Sequence, residues 1–88
     1  MTFKFLSNEN KGESNLLRVQ NECKELIRSI IHNESYITTI YPQRYEFRGC
    51  SYNVLSIQYW FDESIRQMRY ESVVEHGRYT VRVDSRYM

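Results

Sequence analysis

One stretch decides the fold of this chain: residues 16–31, which read LLRVQNECKELIRSII. Apolar side chains recur there at alternating steps of three and four residues, at Leu16, Val19, Cys23, Leu26 and Ile30. The stripe is widened by Leu17, Ile27 and Ile31, and charged side chains lie mostly on the opposite side. This spacing is typical of an amphipathic helix with one buried face. We predict that the helix begins after an N-cap at Ser14 and ends at Asn33.

The residues before and after this helix alternate with a period of two, which is typical of strands. Thr2–Leu6 predicts a short strand, and the polar residues 7–13 predict a loop. Residues 36–41 are β-rich, but Pro42 interrupts them and predicts an edge strand or a bend. Further alternating runs cover residues 44–48, 54–61, 67–74 and 78–84. The turns between these runs are predicted at Gly49-Cys50-Ser51, Asp62-Glu63-Ser64 and His76-Gly77.

This pattern predicts a single α+β domain over residues 1–88. One amphipathic helix packs on one face of a curled antiparallel sheet of four or five strands, in the order β-α-β-β-β-β. The order resembles the cystatin-like arrangement, in which a curled sheet grips one helix. The resemblance is one of element order alone. The chain has no counterpart of the glutamine-valine-glycine loop of the protease-inhibiting cystatins, so the resemblance implies no activity.

Composition excludes two classes of protein. The chain has 12 basic and 11 acidic residues for a net charge of +1, which argues against a polyanionic DNA mimic and against a strongly basic histone-like protein. The two cysteines, Cys23 and Cys50, are too few for a disulfide framework and predict free thiols in a reducing cytoplasm. No apolar run is long enough to predict a signal peptide or a membrane span. The absence of Ala suggests the coding bias of an AT-rich genome, such as that of a phage or mobile element.

Alternation along the strands assigns side chains to two faces of the sheet. The face toward the helix is predicted to hold Tyr45, Phe47, Leu55, Ile57, Tyr59, Phe61, Met68, Tyr70, Val74, Tyr79, Val81 and Val83. The opposite face, which we call the open face, is predicted to hold Arg44, Glu46, Arg48, Tyr52, Val54, Gln58, Trp60, Gln67, Arg69, Glu71, Arg78, Arg82, Asp84 and Arg86. The open face is therefore locally more basic than the chain as a whole.

Two interpretations of the open face remain. It is either a solvated surface with ordinary cross-strand Arg–Glu pairs or a binding surface with aromatic and Arg contacts. A Trp predicted outside the core favours binding. The candidate binding residues on this interpretation are Trp60, Tyr52, Arg44, Arg48, Arg69, Arg78, Arg82 and Arg86.

Catalytic and metal-binding patterns are missing from the sequence. Cys50 would need His32 or His76 within hydrogen-bond reach to act as a nucleophile, and nothing in the spacing brings them together. The two Cys and two His show none of the paired spacings of zinc modules. We therefore predict no enzymatic activity, no metal and no cofactor.

Three hypotheses of function follow, none of which involves a membrane. The first is a small, non-enzymatic protein-binding module, an inhibitor or antagonist of a host protein encoded by a phage or mobile element. The alternative is a nucleic-acid or nucleotide-binding protein that uses the Arg and aromatic side chains of the open face. The third is a homodimer formed through an edge strand, with residues 78–87 as the candidate edge.

Overall fold

The computed structural model describes the backbone of residues 2–87 and the side chains of residues 15–86. The elements in chain order are the helix α1 (Thr2–His32), the 3-10 turn η1 (Ser35–Ile37), the strands β1 (Gln43–Phe47), β2 (Cys50–Asp62), β3 (Gln67–His76) and β4 (Tyr79–Asp84), and the 3-10 turn η2 (Ser85–Tyr87). The four strands form one antiparallel sheet in the order β1-β2-β3-β4, and α1 packs on one face of it. The predicted α+β fold is therefore confirmed.

The first predicted strand is wrong, because α1 already begins at Thr2 and runs through the predicted loop. A short alternating run does not distinguish a strand from a helix. Residues 7–13 contain Gly12 but no Pro, and a single Gly weakens a helix by only about 1 kcal/mol. The observed order is α-β-β-β-β, so the opening strand of the cystatin-like order is not formed.

The apolar stripe of α1 supplies the helical side of the core. Among the helix side chains that the structure describes, from residue 15 onward, five are buried: Val19, Cys23, Leu26, Ile27 and Ile30. Leu17 lies outside the contact and is 59% exposed. The helix ends as predicted, with the Asn33 backbone N–H donating to the Ser29 carbonyl at 3.1 Å. Within the described residues, no helix is both long and apolar enough to cross a bilayer.

The segment between α1 and β1 does not form a strand. Residues 35–37 form the 3-10 turn η1, and residues 41–42 are a bend, so the bend is the alternative that the structure bears out. Pro42 has no N–H for a ladder, and β1 starts directly after it. The sheet accordingly has four strands, and β1 is only 5 residues long.

A β-bulge in β2 shifts the predicted faces by one residue in the first half of that strand. Val54 pairs with Val74, but the next pair is Ser56 with Val73, which leaves Leu55 as an extra residue. Tyr52 and Val54 therefore face the helix and are fully buried, although they were predicted on the open face. Leu55, which was predicted to face the helix, is the bulged residue. Beyond the bulge, Ile57 and the following odd-numbered residues face the helix side as predicted.

The remaining strands keep the predicted phase. Val74, Val81 and Val83 are buried against the helix, and five residues pack at the border of the core: Tyr45, Phe47, Ile57, Tyr70 and Tyr79.

The far end of the β2–β3 hairpin extends beyond both neighbouring strands. β1 pairs with β2 only as far as Val54, and β4 pairs with β3 only as far as Glu71. From the Tyr59–Tyr70 pair to the turn at residues 63–66, the hairpin has only two strands. We call residues 59–70 the arm. Four cross-strand pairs at about 3.4 Å per residue make it roughly 14 Å long before the turn.

Burial is incomplete on the helix side of the arm. Tyr59, Phe61 and Met68 were predicted to be buried there, but they are 47%, 56% and 52% exposed. The described part of the helix packs mainly against β4. Tyr36 of η1 braces the base of the arm, with its ring edge-on to Tyr59 at 4.9 Å.

Candidate interaction surface on the open face

The open face carries a pair of residues on the arm, Trp60 of β2 and Arg69 of β3. The two residues are directly opposite each other in the ladder. The Arg69 guanidinium lies 5.2 Å from the centre of the Trp60 ring. Such a cation–π contact contributes about 0.5–1 kcal/mol at an exposed site and more where water is excluded. The contact holds the Trp60 ring in one orientation while 38% of the residue remains exposed.

Arg69 is itself held by two carboxylates. Its Nη1 donates to Asp62 Oδ2 at 3.1 Å, and its Nη2 donates to Asp84 Oδ1 at 3.4 Å. The exposed fractions of the three side chains are only 15%, 19% and 8% for Arg69, Asp62 and Asp84, respectively. Asp62 lies on β2 and Asp84 on β4, and both strands are neighbours of β3. This charge network therefore joins β2, β3 and β4. It anchors the Arg69 guanidinium beside the Trp60 ring.

Both carboxylates are stabilised in their ionised form. The Ser64 hydroxyl donates to Asp62 Oδ1 at 2.6 Å and, together with Arg69, lowers the pKa of Asp62 below its usual value. The Arg86 backbone N–H donates to Asp84 Oδ1 at 2.9 Å, and the guanidinium groups of Arg86 and Arg69 add to its effect, so the pKa of Asp84 is also lowered. The network is therefore fully charged at neutral pH. We call these residues the Trp60 cluster: Trp60, Asp62, Arg69, Asp84 and Arg86.

Most of the predicted binding arginines are neutralised by acidic neighbours. Arg82 pairs with Glu71 across β3 and β4 at 2.6 Å. Arg48 pairs with Glu25 of the helix, also at 2.6 Å. In the part of the chain whose side chains are described, Arg44 and Arg78 make no ion pair. The open face consequently offers few unpaired cations to a polyanion.

The structure does not bring all the predicted site residues together. Trp60, Arg69, Arg82 and Arg44 lie on the strands of the open face, as the alternation predicts. Three others lie outside the strands: Arg48 and Arg78 in turns and Arg86 in η2. Arg48 has a left-handed backbone with φ 54°, and its side chain reaches the helix rather than the open face.

Tyr52 does not belong to the site. Its side chain is 0% exposed and lies on the helix side of the sheet. The hydroxyl donates to the Glu22 carboxylate, and the ring stacks on His76 at 4.2 Å. Burial, followed by the Glu22 contact, raises the pKa of the Tyr52 hydroxyl. Its role is therefore structural, and the bulge at Leu55 is the reason that simple alternation misplaces it.

The sequence prediction missed the apolar side chains on the other face of the arm. Tyr59, Phe61 and Met68 stay in solvent on the helix side, and Ile65 in the turn is 51% exposed. With Trp60 on the open face, the arm therefore presents apolar surface on both sides. One signal was available in the sequence, because Pro42 leaves β1 too short to pair with the whole of β2.

Cys23, Cys50 and His76 differ in exposure and in contacts. Cys23 is buried, and Cys50 is exposed next to the β1–β2 turn. His76 makes its Nδ1 contact with the Ser51 carbonyl at 2.8 Å, which fixes the ring against the backbone. Among the residues that the structure describes, no group of three or more His, Cys, Asp or Glu side chains is placed to hold a metal ion.

Comparisons with protein-family models, with curated proteins and with solved structures find no match to this chain, so its function must be argued from the geometry above.

Proposed function

We propose that this chain is a non-enzymatic protein-binding module that contacts its partner through the Trp60 cluster on the open face. The observation that carries the proposal is the support of Trp60 by Arg69, which two carboxylates hold in place. Trp and Arg are the residue types that most often dominate protein interfaces. Side chains that are already ordered lose little conformational entropy on binding.

The position of Trp60 suits a contact residue. Trp60 lies on the face opposite the helix and keeps 38% of its surface exposed. An aromatic side chain of this size is able to contribute 2 kcal/mol or more when a partner buries it. The ion-paired residues around it form the kind of polar rim that surrounds a central contact in protein interfaces.

No comparable observation favours the nucleic-acid alternative. Phosphate binding requires guanidinium groups that are available to the ligand. Arg69, Arg82 and Arg86 of the open side are all engaged with carboxylates. A polyanion would have to displace these acids and would meet their negative charge.

The mode of action that we propose is antagonism of the bound protein, since a module of this kind acts by occupying a surface. A cytoplasmic location, in the host cell if the gene belongs to a phage or mobile element, is part of the same proposal. Its support is that both cysteines are free thiols, as expected in a reducing compartment.

The test is a comparison of two neighbouring aromatic residues on opposite faces of the arm. Tagged wild-type chain, Trp60→Ala and Phe61→Ala are crosslinked in a lysate of the source cell, and the captured protein is then titrated in purified form. We expect Trp60→Ala to weaken binding by about 30-fold or more, which corresponds to roughly 2 kcal/mol. Phe61→Ala should leave binding within about threefold of wild type.

Equal binding by wild type and Trp60→Ala would remove the open face from the proposal. A parallel titration with single- and double-stranded oligonucleotides at low salt addresses the alternative. Tight binding that weakens steeply as salt rises would overturn the protein-binding proposal in favour of nucleic acid.

A further inference from the structure

The arm has one edge, along β2, that pairs with no other strand of the described chain. After Val54, β2 continues for residues 55–62 with β3 on one side and no strand on the other. Backbone N–H and C=O groups of alternate residues therefore point outward along this edge. A two-stranded ribbon is marginally stable in water and usually gains a third strand or a packed layer.

The other edges of the sheet are protected. On the β3 side of the arm, the Tyr70 backbone N–H donates to the Ser85 hydroxyl of η2 at 3.2 Å. β1 is short, follows Pro42 and carries the charged Arg44 and Glu46 on its open side. β4 has only 6 residues and lies against α1. These are common ways in which proteins prevent edge-to-edge pairing.

The bulge at Leu55 protects the start of the uncovered edge of β2, but the residues after the bulge lack such protection. Ser56-Ile57-Gln58-Tyr59-Trp60-Phe61 contains no charged residue, no Pro and no Gly. The first charge is Asp62, which already pairs with Arg69. An uncharged and largely apolar edge of this length is a template for another strand.

We propose that a second copy of this chain pairs with residues 56–62 of β2, antiparallel and edge to edge. A two-fold axis perpendicular to the sheet places Tyr59 and Phe61 of both copies on one common face. The antiparallel alignment keeps the two Asp62 side chains at opposite ends of the paired segment, so no like charges meet. The proposed dimer edge therefore lies in β2, whereas the sequence analysis placed the candidate edge at residues 78–87. This inference goes beyond the proposed function and does not rest on it.

The available surface sets the expected strength. Tyr59 and Phe61 are about half exposed, which leaves roughly 100 Å² of each side chain in solvent. Over two copies, these aromatics contribute roughly 400 Å² to a pair. Stable interfaces bury about 1,200–2,000 Å² in total, so the backbone ladder and the flanking side chains must supply the rest. We therefore expect a weak dimer that dissociates at roughly 10–100 µM.

Sedimentation equilibrium of the full chain from about 1 µM to about 300 µM measures this association across the expected range. Phe61→Lys places a charge on the β2 edge, and Tyr59→Lys is a second variant of the same kind. Met68→Lys is the matched control, because Met68 is the cross-strand neighbour of Phe61 but lies on β3. All three side chains are about half exposed, so the substitutions leave the core intact. Circular dichroism confirms the fold of each variant.

We expect wild type to change from monomer to dimer over this range. Either β2 variant should raise the dissociation constant at least 10-fold, and Met68→Lys should change it by less than about threefold. A wild-type chain that stays monomeric at every concentration overturns the proposal. Equal weakening by Phe61→Lys and Met68→Lys also overturns it, because that result indicates packing face to face rather than edge to edge.

Discussion

Replacing two tyrosines of the same strand tests the position of the bulge in β2. Tyr52 lies before Leu55 and is 0% exposed, whereas Tyr59 lies after it and is 47% exposed. Without the bulge, strict alternation would place Tyr52 on the open face and Tyr59 in the core. We predict that Tyr52→Ala destabilises the domain far more than Tyr59→Ala.

The magnitudes follow from the contacts of each ring. Replacing a buried aromatic residue by Ala typically costs about 3–5 kcal/mol. Tyr52 also donates a hydrogen bond to Glu22, and hydrogen bonds to charged groups contribute about 1.5–3 kcal/mol. Glu22 is half-buried, so water recovers part of that energy, and about 4–5 kcal/mol is expected for Tyr52→Ala. Tyr59→Ala mainly removes the edge-on contact with Tyr36 and a partly buried ring, so we expect it to lower the free energy of unfolding by about 1 kcal/mol.

Urea denaturation followed by circular dichroism measures both values. A domain of 88 residues has a free energy of unfolding of about 4–13 kcal/mol, so Tyr52→Ala removes much of it. Tyr52→Phe is the milder variant if Tyr52→Ala does not fold, and it isolates the hydroxyl contribution of about 1–2 kcal/mol. A larger loss for Tyr59→Ala than for Tyr52→Ala refutes the bulge and the assignment of faces that depends on it.

Two further predictions concern ionisation and thiol access. The pKa of Asp84 is lowered in the folded state, so its contribution to stability is complete above the unfolded pKa of about 3.9 and disappears as pH falls through the folded value. Asp84→Asn should therefore flatten the decline of the urea midpoint below about pH 4, and an unchanged acid decline contradicts the role of Asp84. Burial, followed by Glu22, raises the pKa of the Cys23 thiol to about 11, whereas Cys50 is exposed. Ellman's reagent should label Cys50 rapidly and Cys23 only in urea, and a fast thiol that persists in Cys50→Ser contradicts the burial of Cys23.

Local periodicity was sufficient to predict most of the helix and the sheet. The stripe from Val19 to Ile30 identified the buried face of α1, because side chains three and four residues apart share one side of a helix. The alternation in β3 and β4 identified Val74, Val81 and Val83 as core residues, because every second side chain of a strand lies on the same face of the sheet. The same reasoning failed at Thr2–Leu6, where a short alternating run lies inside α1.

The candidate site was predictable only in part. Alternation along the strands was sufficient to place the side chains of Trp60, Arg69 and Arg82 on the open face. It did not predict which side chains they contact. Asp84 reaches Arg69 across β3 and β4, and Glu25 reaches Arg48 between α1 and the β1–β2 turn, so both pairings require strand order and helix position.

The sequence by itself determined most of the elements, though not the start of α1, and which side chains share a face while the ladder is regular, because both depend on neighbours along the chain. Only the tertiary structure decided where the phase of β2 changes and how far the sheet is covered. The bulge at Leu55 exists because β3 pairs with β2 on both sides of it in shifted register. The arm is exposed because β1 and β4 stop short of it and the described part of α1 packs mainly against β4. These features depend on the lengths and contacts of separate segments, which periodicity within one segment does not contain.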